Sequence, residues 1–375
     1  MKKTLLLLSL ATSLASTAQQ SFSFQHGGLN RNYLLYVPAE PSAEPLPVVF
    51  VLHGFTQTAQ GIMTYSGFNE IAEREGFIAV YPNGVNLAWN VGFGGGSSAD
   101  DVGFLSALID TLAQHYPVDL ARVYSCGMSN GGFMSHRLAC ELSDRIAAIA
   151  GVTGTMSSAT FDDCSPERPV PVLQIHGTAD LIVNYNGAVG IKSVDETLAF
   201  WRAHNDCPPT ALFEALPDIV NEGSTVERYT YGPCEEESEV MLLKVLNGGH
   251  TWPGSIGLSG LGNTNRDISA SEEIWDFFSR HRLGGPASAS QARPLPFARP
   301  PFPNPFYEHI ALEAGPAGIQ QLSLFSNTGT LLRQSRSPIQ EGAASFETYG
   351  LPPGLYILQA VSADGQAQHW KVIKY

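Results

Sequence analysis

Along the first 283 positions, apolar residues follow two rhythms that take turns. Short continuous apolar runs, "YLLYVP", "PVVFVLHG", "FIAVYPN", "RVYSCG", "RIAAIAGVTG", "PVLQIHG" and "VMLLKVLN", have the length and composition of strands. Between them lie stretches with helical spacing: "FNEIAEREG", stopping at Gly76, then "DDVGFLSALIDTLAQHY", "NGGFMSHRLACELS", "KSVDETLAFWRAHN" and "SEEIWDFFSRHR". Strands that are apolar throughout must be covered on both faces. Their alternation with helices predicts an α/β fold, a mostly parallel doubly wound sheet.

The rhythm changes after Leu283. The segment 284–304, "GGPASASQARPLPFARPPFPN", is rich in Pro, Ala, Ser and Gly and reads as a linker. From 305 to 375, "HIALEA", "QQLSLFSNTGTLLRQS" and "GLYILQAVSADGQAQHWKVIKY" alternate apolar and polar residues between turn signals. That predicts a small C-terminal antiparallel β-module, sandwich-like in character. At the other end, "MKKTLLLLSLATSLASTA" has the charged start, apolar core and small-residue cleavage site of a secretory signal over 1–18. Its apolar run is too short to span a bilayer. The main domain is therefore expected over 19–283, with no membrane anchor.

The formal net charge of −14 argues against a nucleic-acid partner, which would call for a basic face. The five cysteines are Cys126, Cys140, Cys164, Cys207 and Cys234. Export permits disulfides. Closure between sequence neighbours favours Cys140 with Cys164 and Cys207 with Cys234, leaving Cys126 free. No spacing suits zinc, and no metal or cofactor is expected.

Candidate chemistry centres on "RVYSCGMSNGGFMSHRLA", where a strand passes into a helix through Gly127-Met128-Ser129-Asn130-Gly131. A sharp turn there exposes the Ser129 hydroxyl and aims a helix N-terminus at the reaction centre. Glycines two residues to either side remove side chains that would clash. A serine nucleophile needs a base, an acid that orients it, and oxyanion donors. His250, in the Gly-rich "NGGHTWPG" after a strand, is the expected base. His136 lies along the helix after Ser129, His204 and His281 read as surface or capping residues, and His53 and His176 as structural ones. Asp180, in "IHGTADLIVNY", is the expected acid. Asp162 and Asp163 follow no clear strand, and Asp100 and Asp101 read as N-cap and helix-dipole partner. Backbone N–H groups of Phe55 and Asn130 are the expected oxyanion donors. Phe55, Trp89 and Trp252 are the expected substrate-facing aromatics, each with the core as its alternative.

The motifs "HGFTQTA", "DDVGFLSALID", "VYSCGMSNGGFM", "IHGTAD" and "GGHTWPG", in this order, resemble secreted α/β-hydrolase esterases of the polyhydroxybutyrate depolymerase-like, or LpqC-like, group. These are similar to feruloyl and acetylxylan esterases of carbohydrate esterase family 1. The likeness spans about Ser21 to Leu283. It implies the Ser129, Asp180, His250 triad, the Phe55 and Asn130 donors, and the same two cysteine pairs. Relatives often carry a cysteine before "DDVGF", whereas this chain reads "WNVGFGGGSSADD" and lacks any extra bridge there. In the tail, "PNPF", "LSLFSNTGTLL", "GLPPGLYILQA" and "KVIKY" resemble the C-terminal sorting domain of the type IX secretion system of Bacteroidetes.

The expectation is a secreted serine carboxylester hydrolase acting on feruloyl or acetyl esters of plant polysaccharide, or on polyhydroxyalkanoate-type polyesters. Its partners would be that polymeric substrate and the type IX machinery. The alternatives are a peptidase on the same fold and a non-catalytic binding protein; for the tail, a carbohydrate-binding module.

Overall fold

Val48, Phe50 and Leu52 turn to one face of their strand and Val49 and Val51 to the other, and all five are buried. That is why the strand reads as an unbroken apolar run. The structure is a computed structural model that describes residues 20–39, 44–93, 96–284, 301, 306–313, 318–326, 330–335, 343–362 and 367–374. The signal expected over 1–18 lies outside the described residues, as does the linker expected over 284–304 apart from Gly284 and Pro301.

The chain divides into two compact units, Met1–Ala287 and Ser288–Tyr375. In the first, the strands are β1 (Gln20–His26), β2 (Leu29–Tyr36), β3 (Leu46–Leu52), β4 (Ile78–Pro82), β5 (Val118–Met128), β6 (Ala148–Val152), β7 (Val172–Gly177), β8 (Leu212–Ala215), β9 (Thr225–Tyr231) and β10 (Val240–Leu246). The helices are α1 (Ala59–Ser66), α2 (Phe68–Glu75), α3 (Asp101–His115), α4 (Asn130–Glu141), α5 (Ser158–Asp163), α6 (Val194–His204) and α7 (Ala270–Ser279). Helix α2 stops at Gly76, whose φ of 75° places it in the left-handed region. Helix α6 opens with a reciprocal capping box between Ser193 and Glu196.

The strands form one ten-stranded sheet in the order β1-β2-β4-β3-β5-β6-β7-β10-β9-β8. The six from β4 to β10 are parallel. The outer pairs run antiparallel. Phe104 and Leu108 of α3, Phe133 and Leu138 of α4 and Trp201 of α6 fill the core on one face. Ile62 of α1, Phe68 of α2, and Ile274 and Phe277 of α7 fill the other. From β3 the chain passes to β4 on one side, and β5 lies on the other. The winding therefore reverses at the carboxyl ends of β3 and β5, the place where sheets of this kind bind ligands.

The edge strands β1, β8 and β9, and the short helices α1 and α5, are absent from the sequence-based expectation. β5 starts at Val118 rather than Arg122.

In the second unit, β11 (His309–Glu313) pairs antiparallel with β14 (Ala343–Glu347). A second antiparallel sheet has the order β13-β12-β15-β16, from β12 (Ile319–Ser326), β13 (Leu331–Ser335), β15 (Gly354–Ser362) and β16 (Ala367–Lys374). Both sheets contribute to one core that includes Ile310, Leu312, Leu324, Phe346 and Leu358. Among the described residues, no helix is long and apolar enough to cross a membrane.

Candidate active site

Ser129 stands alone between β5 and α4, with φ 53° and ψ −119°. A non-glycine residue in such a region costs about 1–3 kcal/mol, which the surroundings must offset. They do so through the backbone. The Ser129 N–H donates to the Val152 carbonyl at 2.8 Å, and its own carbonyl accepts the Phe133 N–H at 3.0 Å. The flanking glycines are required by close approach. A Cβ on Gly127 would lie 2.5 Å from the Gly131 carbonyl carbon, and one on Gly131 would strike the Leu52 carbonyl oxygen. A Cβ on Gly154 would strike the carbonyl of Ser129 itself. The serine side is left half-buried, within reach of solvent.

The loop after β3 comes against this turn. A Cβ on Gly54 would sit 3.5 Å from the Ser129 Cβ. Gln57 Oε1 accepts the Gly54 N–H at 3.0 Å, fixing the loop that carries Phe55. Asn130 opens α4, where a backbone N–H has no intrahelical acceptor. Its side chain bonds both ways with the Trp89 backbone: Oδ1 accepts the N–H at 2.6 Å, and Nδ2 donates to the carbonyl at 3.4 Å.

His53 is buried beneath this loop. Its Nε2 accepts the Gly84 N–H at 2.9 Å, so Nδ1 carries the proton and donates to the Gly54 carbonyl at 2.8 Å. Burial pushes it down to about 4, against a smaller opposing effect of the Gly54 bond. A neutral, doubly bonded imidazole of this kind is a brace.

Asp180 and His250 meet across the carboxyl ends of β7 and β10. His250 Nδ1 lies 2.8 Å from Asp180 Oδ2. The other carboxylate oxygen, Oδ1, accepts the N–H groups of Ile182 and Val183, both at 2.9 Å. Asp180 is fully buried, so these donors replace the water it has lost. The base loop is held by its own backbone: His250 N–H donates to the Leu261 carbonyl at 2.6 Å, and Gly249 N–H to the Asn263 carbonyl at 2.8 Å.

Two expected substrate aromatics are core residues instead. Trp89 is 1% exposed, and its indole N–H donates to the His53 carbonyl at 2.9 Å. Trp252 is also 1% exposed; its N–H donates to Ser271 Oγ at 3.0 Å, and its ring meets Phe68 edge-on. Each ring spends its polar handle on a buried acceptor, so neither presents a face to substrate. Phe55, by contrast, is 54% exposed.

Asp100 does cap α3, accepting the Gly103 N–H at 2.9 Å. Asp101 lies in the first turn of α3, where the helix dipole favours an acid, and has a further task. It is buried against Arg31 at 2.6 Å and also accepts the Asn90 N–H at 2.7 Å, bracing the segment that carries Trp89. His281, expected as a surface or capping residue, is buried with Nε2 3.1 Å from Glu239 Oε1. Cys140 is bonded to Cys164 and Cys207 to Cys234, while Cys126 is free and buried. Among the described residues, no three His, Cys, Asp or Glu side chains gather as a metal ion would need.

Sequence reasoning read His176 as a structural strand-end residue but missed Gln174 and the link to His136 behind the acid. Gln174 and His176 are both buried in β7 and share one face of it, and His136 of α4 lies against Gln174. The available signal was their period-two spacing inside an otherwise apolar strand.

The family model described as "Esterase PHB depolymerase" matches residues 31–199. A bifunctional acetylxylan esterase/xylanase of Neocallimastix patriciarum is 29% identical over 266 residues; the match covers 70% of this chain and 35% of that protein. NocK of Nocardia uniformis subsp. tsuyamanensis, an esterase by name, is 31% identical over 288 residues, covering 69% of this chain and 80% of its own. Feruloyl esterase D of Neurospora crassa is 27% identical over 273 residues, covering 70% and 86%. The chain thus spans about a third of the first of these relatives and most of the other two. Among solved structures, an acetyl xylan esterase from Aspergillus awamori superimposes with a TM-score of 0.50 at 17% identity, covering 69% of this chain and 99% of that one, a likeness of fold. With the extent of the NocK match and the family model agreeing, the chain belongs to the esterase PHB depolymerase family.

Proposed function

We propose that this protein hydrolyses carboxylic esters through an acyl-enzyme, with Ser129 as nucleophile, His250 as base and Asp180 as the acid that orients it. The observation that carries the reading is the 2.8 Å contact of His250 Nδ1 with a buried Asp180, and the strained backbone of Ser129 is its second support. With its proton on Nδ1, the imidazole leaves Nε2 to take the Ser129 proton and later return it to the leaving alcohol. The carboxylate stabilises the imidazolium formed in between. The N–H groups of Asn130 and Phe55 receive the oxyanion. No cofactor enters this scheme.

The esterase names of the relatives support ester-linked decorations of plant polysaccharide, feruloyl or acetyl, as substrates, and the family name supports polyhydroxyalkanoates as the other class. The exposed Phe55 ring, one residue from the oxyanion loop's glycine, is the surface that receives the acyl group. We further infer export through the N-terminal signal and the C-terminal module, with the module serving as a type IX sorting domain. Both disulfides agree with an oxidising destination.

Ser129→Ala should lower kcat on 4-nitrophenyl acetate by roughly 10⁴ to 10⁶ and leave the melting temperature nearly unchanged. More than a few per cent of residual activity would reject Ser129 as nucleophile. Product release from feruloylated xylan, acetylated xylan and polyhydroxybutyrate, assayed side by side, separates the substrate classes.

A further inference from the structure

A row of polar side chains runs through the interior behind Asp180, and the catalytic reading leaves it without a task. It starts on α6, where Trp201 Nε1–H donates to His136 Nδ1 at 3.1 Å. His136 Nε2 lies 3.1 Å from Gln174 Oε1, and Gln174 Nε2 lies 3.2 Å from His176 Nδ1. His176 Nε2 ends the row at the Val183 carbonyl, 2.8 Å away, with Asp180 Oδ2 at 3.5 Å. All four side chains are fully buried.

The row has one consistent direction. An indole N–H can only donate. His136 Nδ1 must therefore accept, which puts the proton of that ring on Nε2. Gln174 then turns its oxygen to His136 and its amide nitrogen to His176. His176 Nδ1 accepts in turn, so its proton also sits on Nε2 and points at the Val183 carbonyl. Burial opposes a second proton on either ring: it pushes His136 down to about 4 and lowers His176 as well. Neutral rings keep every bond of the row satisfied, and the dipoles add towards Asp180.

The end of the row falls on the turn that holds the acid. Asp180 Oδ1 accepts the Val183 N–H, and His176 Nε2–H donates to the Val183 carbonyl. The peptide units on either side of Val183 are thereby clamped. Oδ2 is left to face His250. Apolar side chains would fill the same space without the desolvation of four polar groups, so the row's terminus is what distinguishes it from plain core.

The geometry points to His136, Gln174 and His176 as positioning residues for the catalytic acid: together they fix the Asp180–Val183 turn and, through it, the orientation of the His250 imidazole. They touch neither substrate nor reacting atoms. The inference rests on the proposed triad.

The test uses the full-length enzyme and 4-nitrophenyl acetate, with the melting temperature read for every variant. His176→Phe keeps a ring of similar size and removes both bonds. Its kcat should fall about 10- to 100-fold, with KM changed by less than about 2-fold. His176→Gln keeps an N–H near the Nε2 position and should recover kcat to within about 3-fold of wild type. In an Asp180→Asn background, His176→Phe should cost nothing further, because the group it positions has gone. Equal cost in both backgrounds would mean general structural damage and would overturn the inference. So would wild-type kcat in a folded His176→Phe. Should that variant not fold, Gln174→Met breaks the row one bond earlier and is judged by the same cycle. Wild-type kcat in Asp180→Asn would instead overturn the triad reading itself.

Discussion

His53 and His136 are both held neutral by burial, each down to about 4. An unfolded chain would protonate them near 6.5. Their folded values lie below their unfolded ones, so their stabilising contribution is complete above about pH 6.5 and is lost as pH falls towards 4. Each represents on the order of 3 kcal/mol by the bottom of that window. Urea midpoints measured from pH 7 to pH 4 should therefore drop steadily; an unchanged midpoint would contradict the burial. Residue type alone conveyed some of these roles and hid others. His53 was legible as a brace because it ends a buried strand where the chain must turn. Trp89 and Trp252 stayed open between substrate face and core because a tryptophan in a Gly-rich loop looks the same in sequence whether its N–H meets solvent or a buried acceptor, and burial settles them as core. The doublet Asp100-Asp101 concealed two tasks, one a cap and one an ion pair with Arg31. Its hidden partner was marked only by Arg31 sharing a face of β2 with Tyr33 and Leu35.

Between elements, the contact that most constrains the site is α4 against β3. Gly131 brings the first turn of the helix onto the Leu52 carbonyl with no room for a methyl group. Gly131→Ala must lift the helix from the sheet. It should cost more than about 2 kcal/mol of stability, and a displacement near 1 Å at Ser129 should lower kcat about 100-fold. Denaturant titration and steady-state rates on one preparation read both effects, and a stable, active variant would show that the turn yields more easily than its geometry allows. This turn was readable from the chain because its cause is local: two glycines, one serine and a change of apolar period. The edge strands were not readable in that way. All four residues of β8 are exposed and β9 is mostly half-buried, so neither carries the apolar run that marks a strand covered on both faces. β9 is placed by pairing with β10 and β8 by pairing with β9, both long-range facts.

The two units close separate cores. Among the described residues, the clusters on either face of the large sheet draw on positions up to Leu283, and the third cluster on positions from Phe306 onward. A chain ending at Leu283 should therefore keep its kcat/KM on soluble esters, and a fall of more than about 3-fold would show that the tail supports the site. Both disulfides lie in the first unit, with sequence separations of 24 and 27. On the chain-entropy account each contributes roughly 3 to 4 kcal/mol. Two-unit organisation was legible because composition shifts abruptly at Leu283. The way the tail's strands divide between two sheets was not, since alternation marks a strand without naming its neighbour.

The outermost strand of the large sheet has a consequence for handling the protein. β8 ends the sheet with Leu212 at 75% exposure and Phe213 at 53%, and its outer backbone groups face away from β9. Such an edge is a template for another copy's strand, opposed only by charges such as Glu214, which is paired with Arg228. Concentrated solutions should turn cloudy on storage well below the melting temperature, and faster as concentration rises. Leu212→Lys should extend the time to turbidity several-fold while leaving the melting temperature and esterase rate unchanged. Shelf life in this enzyme would then be set by four residues that lie at the sheet's far margin and take no part in its chemistry.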